Sequence, residues 1–167
     1  MTAAVFLFTA LLQAPPAVCF SPRGGCTDSL VQAIDRVRKD SILVQAYNFT
    51  SAPIAQALVR ARARGCTPIV LVDAKAADQR GGQAAFLDSA GVQVFEDGKH
   101  AIAHDKVMVL GRAMTATGSF NFTGAAEFSN AENLVLLQGK ATAELYRANW
   151  YRHRAHAIKY RRPDSTP

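Results

Sequence analysis

The chain has 167 residues, 49% of them hydrophobic and 19% charged, with 11 Gly and 7 Pro. One domain of that length buries roughly 70% of its unfolded surface, and the composition excludes collagen-like, disordered and coiled-coil classes. Nineteen Lys and Arg against 13 Asp and Glu leave +6 at pH 7, which favours an anionic partner such as nucleic acid, a phosphate ester or an acidic lipid without choosing among them. Three Cys with no Cys-x-x-Cys pair give neither a disulfide scaffold nor a zinc ribbon.

Residues 3–12 form an apolar run too short to span a bilayer as a helix. With Gln13-Ala14-Pro15-Pro16-Ala17 behind it, the run fits a secretory signal over residues 1–17, although no Lys or Arg precedes it and Pro15 is a poor −3 residue. A buried N-terminal helix is the alternative. Export would make the chain periplasmic or secreted, with no stable membrane insertion once the signal is removed. Cys19 and Cys26 flank Ser-Pro-Arg-Gly-Gly, a spacing that a disulfide can close in an oxidising compartment. Cys66, next to Gly65, reads as a buried apolar filler.

Thr27 or Asp28 caps a predicted helix to about Lys39, with Leu30, Val31, Ile34 and Val37 on one face. Ser41–Asn48 reads as a strand. Ser51 opens a second helix that Gly65 stops. Pro68–Asp73 is a continuous apolar strand of the kind buried on both faces. A third helix over residues 79–90, a strand Val92–Glu96 and an Asp97-Gly98 turn follow. This β-α-β-α-β spacing predicts a mostly parallel sheet covered by helices. Strands at Asp105–Leu110 and Ala113–Thr117, separated by Gly111-Arg112, predict a two-residue hairpin turn. Glu132–Leu137 is another strand. Lys140–Ala157 is a closing helix whose basic end suits its C-terminal dipole, and residues 161–167 are expected to form a flexible tail.

The chemistry concentrates between His104 and Asn121. On a strand, His104 and Lys106 project to one face, an imidazole beside an ammonium on otherwise apolar backbone. A buried Lys106 needs solvent or a ligand anion to meet it. Gly118 allows close backbone approach, and Ser119 and Asn121 add donors suited to a phosphate.

His-x-Lys followed by Gly-Ser-x-Asn resembles the signature of the phospholipase D superfamily, and the chain is similar to its small single-motif bacterial endonucleases, the exported EDTA-resistant type. Cys19-Phe20-Ser21-Pro22, Ala46–Thr50, Gly118–Thr123, Ala125-Ala126-Glu127 and Asn130–Asn133 also match that subgroup, so the resemblance covers roughly residues 18–155. It implies a single α/β domain over about residues 18–160, with a mixed, mostly parallel sheet flanked by helices on both faces. The family motif usually carries Asp five residues after the Lys, where this chain has Gly111. That Asp is generally structural, and both residue types suit a turn.

The resemblance implies a two-histidine phosphodiesterase mechanism. His104 attacks phosphorus and a second histidine protonates the leaving oxygen, then activates water. Lys106, Asn121 and Ser119 hold the nonbridging oxygens. Glu132 accepts from His104 Nδ1, with Glu127 its rival for that role, and Lys99 and His100 line the rim. Each chain offers one His-x-Lys, so the active species is a homodimer. No cofactor is expected. His100 and His104 stand four apart, but in a turn entering a strand they share no face. With no third ligand apparent, no metal site is expected. The expected substrate is nucleic acid, DNA first and RNA as a further candidate. Phospholipid hydrolysis, or a silent nucleic-acid-binding or secretion-associated module, are the alternatives.

Overall fold

A computed structural model describes residues 15–161. Nearly all of the expected leader, and residues 162–167 of the tail, lie outside the described residues. The first helix, α1 (Cys26–Arg36), buries Leu30, Ala33 and Ile34 at the helical spacing. Its first turn is capped from afar: the Glu127 carboxylate accepts from the Gly25 and Thr27 amides at 3.0 and 2.7 Å. Strand β2 (Ser41–Ala46) is buried over its last five residues. Then α2 (Ala52–Ala63) starts with Pro53 in its first turn and is closed by Gly65 at φ +83°. Strand β3 (Thr67–Asp73) follows.

Helix α1 and strand β2 end slightly before the expected Lys39 and Asn48, and two stretches depart further. Helix α3 (Ala84–Ser89) is shorter than the predicted 79–90. Gly81 at φ +79° and Gly82, where a Cβ would lie 2.8 Å from the Ala77 carbonyl, turn the chain before it. Strand β1 (Ala17–Ser21) was not predicted, because it is a half-exposed edge strand between prolines rather than an alternating core segment.

The remaining elements are β4 (Gln93–Asp97), β5 (Lys106–Leu110), β6 (Met114–Gly118), α4 (Gly124–Phe128), β7 (Glu132–Gln138), α5 (Lys140–Arg154) and β8 (Ile158–Lys159). All strands join one sheet in the order β1-β7-β6-β5-β2-β3-β4-β8. The α/β class holds, with a smaller parallel share than expected. Among the described strands only β2–β3 and β3–β4 pair in parallel; the β1–β7, β2–β5, β4–β8, β5–β6 and β6–β7 pairings are antiparallel. The reason lies in the connections. Parallel neighbours need a crossover connection; β4, β5 and β6 are joined by loops without a helix, and α5 carries the chain from β7 to β8 at the other side of the sheet.

Helices α1, α2 and α3 pack against one face, on Ile42, Val44, Val70, Val72, Val94 and Met108. Helix α5 packs Ala143 and Trp150 on the other, against Leu43, Leu71, Phe95, Val107 and Val109, with Trp150 Nε1 donating to the Val44 carbonyl at 2.9 Å. The β1–β7 end of that second face stays open, with Val18 48% and Phe20 68% exposed. The β5–β6 register, Leu110 against Met114, leaves three residues in the hairpin loop, Gly111-Arg112-Ala113, not two. Gly111 takes φ +62°, and its carbonyl accepts from Arg147 Nη2 at 2.7 Å, which anchors the loop to α5.

Gly118, at φ +149°, packs against β7 so closely that a Cβ would fall 2.2 Å from the Asn133 carbonyl oxygen. The close approach is therefore strand to strand. Gly118→Ala should lower stability by roughly 1–3 kcal/mol, read as an earlier urea midpoint with an unchanged slope. A midpoint equal to that of the native chain would contradict this packing.

Candidate active site

The carboxyl ends of β2, β3 and β4 gather the chemistry. Asp73, at the end of β3 and 2% exposed, accepts from the Lys75 and Ala76 amides through Oδ1 and from the Ala103 amide through Oδ2 at 2.7 Å. Lys75 Nζ holds the Ala101 carbonyl at 2.8 Å. The loop from β4 to β5 is thus pinned just before His104.

Strand β5 begins at Lys106, so His104 and Asp105 lie in the approach to it, not on the predicted strand. Asp105 is held by β2 and its continuation, its carbonyl accepting from the Tyr47 amide and its carboxylate from Gln45 Nε2, both at 2.9 Å. The imidazole and the ammonium still meet, through a third side chain. The His104 ring lies 4.7 Å from the Tyr47 ring, and Lys106 Nζ sits 5.0 Å from that ring's centre. Lys106 Nζ also donates to the His104 carbonyl at 2.6 Å. The Ala46–Thr50 segment was matched as a block, and only the structure singles out Tyr47 as the platform between cation and imidazole.

His104 is exposed while Lys106 is buried. Burial holds the Lys106 ammonium below its ordinary pKa, with the carboxylates of Asp105 and Glu132 pulling the other way. An anion placed over it restores the charge that burial disfavours.

The Gly-Ser-x-Asn segment follows β6. The Ser119 hydroxyl accepts from the Asn133 backbone amide at 3.1 Å and from its Nδ2 at 3.4 Å, which leaves the O–H as a donor. Asn121 carries a buried amide oxygen with no partner among the described residues. An amide oxygen only accepts, so it is the Asn121 Nδ2 group that can donate to a phosphate oxygen.

The two glutamates separate. Glu127 is buried and spent on the start of α1. Glu132 is half-buried at the start of β7, its amide bonded to the Ser21 hydroxyl and its carboxylate accepting from Asn130 Nδ2 at 3.1 Å. Among the described residues no hydrogen bond joins Glu132 to the His104 imidazole; its carboxylate acts on Lys106 through charge.

Lys99 is exposed, its amide donating to Asp97 Oδ1 at 3.1 Å. His100 does not pair with His104. It stands with His153, His156 and the buried Asp97, so the absence of a third ligand near it, expected from the sequence, does not hold. The partners lie more than 50 residues downstream, beyond what local spacing reveals. Cys19 and Cys26 are joined by a disulfide with their Cα atoms 5.6 Å apart, and Cys66 is buried and free.

The family described as "Cardiolipin synthase, PLD-like domain" matches residues 30–153. This chain belongs to the phospholipase D superfamily. The superfamily relationship extends to the whole fold. The structure of the phospholipase D family member Nuc from Salmonella typhimurium superposes with a TM-score of 0.83 at 34% identity, over 89% of this chain and 99% of that one. "Phospholipase D" of Rickettsia felis is 38% identical over 145 residues, 87% of this chain and 72% of the relative. The dog "Mitochondrial cardiolipin hydrolase" is 27% identical over 82% of this chain and 58% of its own length. The protein is accordingly a phosphodiesterase hydrolase of the phospholipase D superfamily.

Glu127→Gln should cost stability, about 1–3 kcal/mol for leaving α1's amides poorly met, while phosphodiesterase turnover of bis(p-nitrophenyl) phosphate stays within about threefold. Glu132→Gln should do the reverse, cutting kcat about 10²-fold with little change in melting. Equal loss of turnover in both would return Glu127 to the reacting site.

Proposed function

We propose that this protein is a metal-independent, nonspecific nuclease that hydrolyses DNA, and RNA as well, through a phosphohistidine on His104. The observation that carries the reading is the exposed imidazole of His104 beside the buried, counter-ion-poor ammonium of Lys106, joined by Tyr47. A phosphodiester seated there supplies the missing anion. The imidazole Nε2 lone pair of His104 attacks phosphorus as the P–O bond to the leaving nucleotide breaks, and a second histidine gives that oxygen its proton. Lys106, the Asn121 amide and the Ser119 O–H hold the two nonbridging oxygens as charge builds on them. Water then attacks phosphorus from the opposite side. Its proton passes to the second histidine, the P–N bond breaks, and His104 is free again. Glu132 keeps Lys106 charged and accepts from His104 Nδ1 once substrate closes the site. Side chains meet every charge in this scheme without a metal.

The second histidine is the partner's copy of His104, in a homodimer. His100, His153 and His156 are engaged with one another and with Asp97, so none is placed to serve. The open sheet face beside β7 supports the pairing. Val18 and Phe20 project there next to Val135 and Asn133, and Asn133 is the residue that holds Ser119. A net charge of +6 per chain favours a polyanion over a neutral ester. The Cys19–Cys26 disulfide supports an exported protein acting outside the cytoplasm.

Phospholipid is the second reading. Ile102, two residues before His104, is 49% exposed, and an apolar side chain at the rim suits an acyl chain. Relatives carry phospholipase and cardiolipin hydrolase names. Purified protein in excess EDTA should nick supercoiled plasmid and release little from phosphatidylcholine or cardiolipin vesicles. The opposite pattern would make lipid the substrate, and loss of all activity in EDTA with recovery on adding Mg²⁺ would end the metal-independent scheme. His104→Ala should lose at least about 10³-fold, and Lys106→Ala or Asn121→Ala about 10²-fold each.

Phe20→Asp tests the shared site. It should yield monomers in sedimentation and lose turnover together with dimer. A monomer that retains full turnover would show that one chain suffices.

A further inference from the structure

Three of the chain's four histidines converge on one carboxylate, on the opposite face of the sheet from Lys106. Asp97 ends β4 on the side of Phe95, the face that α5 covers, whereas Lys106 shares its side of β5 with Met108, beneath α1 and α2. Asp97 is 2% exposed. His153 Nδ1 lies 2.7 Å from its Oδ2, His156 Nε2 lies 3.1 Å from its Oδ1, and His100 Nε2 approaches to 3.8 Å. The rings crowd one another as well, with centres 4.9 to 5.6 Å apart.

A hydrogen-bonded tether between α5 and β4 needs one histidine. Three imidazoles around one buried carboxylate form a donor set. The four donor atoms lie within 4.8 Å of one another, and a tetrahedral shell with bonds of about 2.0–2.1 Å puts its donors about 3.4 Å apart. Small side-chain rotations close that gap. The side-chain exposures of His100, His153 and His156, 42%, 17% and 22%, leave a path for an ion from solvent. Three nitrogens and one oxygen suit borderline ions such as Zn²⁺ or Co²⁺. Mg²⁺ and Ca²⁺ want six or more oxygens.

We propose that Asp97, His100, His153 and His156 form a binding site for one transition-metal dication, of the Zn²⁺ class, that ties the end of α5 to the loop leading to His104. Each imidazole that now donates to Asp97 becomes a ligand by moving its proton to its other ring nitrogen, so the swap needs no net proton transfer. The ion's role is structural. It fixes His100 at one end of residues 98–104, while Asp73 already fixes Ala103 at the other. The proposal does not depend on which phosphodiester the protein cleaves, since the reacting groups lie on the other face.

The test is calorimetric titration of the full chain, first stripped of metal, with Zn²⁺. One ion per chain should bind with a Kd below about 1 μM. The thermal midpoint should rise by roughly 5–10 °C at free zinc about 100-fold above the Kd. His100→Ala, at an exposed position that does not hold the fold, should weaken binding at least about 10-fold, and His153→Ala with His156→Ala should abolish it. Co²⁺ should give the visible absorption of a tetrahedral site in the native chain and in His104→Ala, and lose it in His100→Ala. No binding up to about 100 μM, or binding and Co²⁺ spectra indifferent to His100, His153 and His156, would reduce the cluster to hydrogen bonds alone.

Discussion

The Asp73 carboxylate sets where His104 can stand. Buried at the end of the central parallel strand, it is left with oxygens that only the chain itself can satisfy, and it takes three backbone amides, from Lys75, Ala76 and Ala103. A buried carboxylate without such donors would be costly, so the loop before β5 has little freedom to leave it. Residue 104 follows directly on the pinned amide. The register of β5 on β2 then fixes Lys106 opposite Ala46, one residue from Tyr47. One ionic acceptor and one strand register thus bring a loop histidine and a strand lysine onto the same aromatic ring.

The division of labour between the two faces follows from strand alternation. Lys106 and Asp105 are neighbours in sequence but point to opposite faces, so one faces the candidate site and the other the α5 layer, where Gln45 receives it. The two ends of the loop after β4 belong to the same split. His100 joins the histidines of α5, and His104 joins Lys106. The proposed structural ion on one face and the proposed metal-free phosphoryl chemistry on the other are compatible because no side chain serves both.

Much of this was legible in the sequence wherever the signal was local. The stretches Ser41–Asn48 and Pro68–Asp73 were read as strands and contain β2 and β3, Gly65 marked the end of α2, and the His-x-Lys and Gly-Ser-x-Asn spacings pointed to the segments that make up the candidate site. What failed needed distant partners. The parallel share of the sheet was overstated because spacing does not say which edge a later strand joins. Strand β1 owes its existence to β7, more than a hundred residues away. The role of Glu127 at the start of α1 and the meeting of His100, His153 and His156 at Asp97 are likewise contacts between elements remote in the chain. Gly118 was read as a place of close backbone approach, but only the fold shows that the approaching backbone is that of β7.

The central claim is that phosphorus passes through His104, and stereochemistry at phosphorus tests it most directly. A phosphodiester made chiral by one sulfur and cleaved in ¹⁸O-labelled water undergoes two in-line displacements if a phosphohistidine forms and one if water attacks directly. The account predicts net retention of configuration, together with a phosphate adduct on the His104 peptide when turnover is quenched. Net inversion would contradict it and leave His104 as a general base.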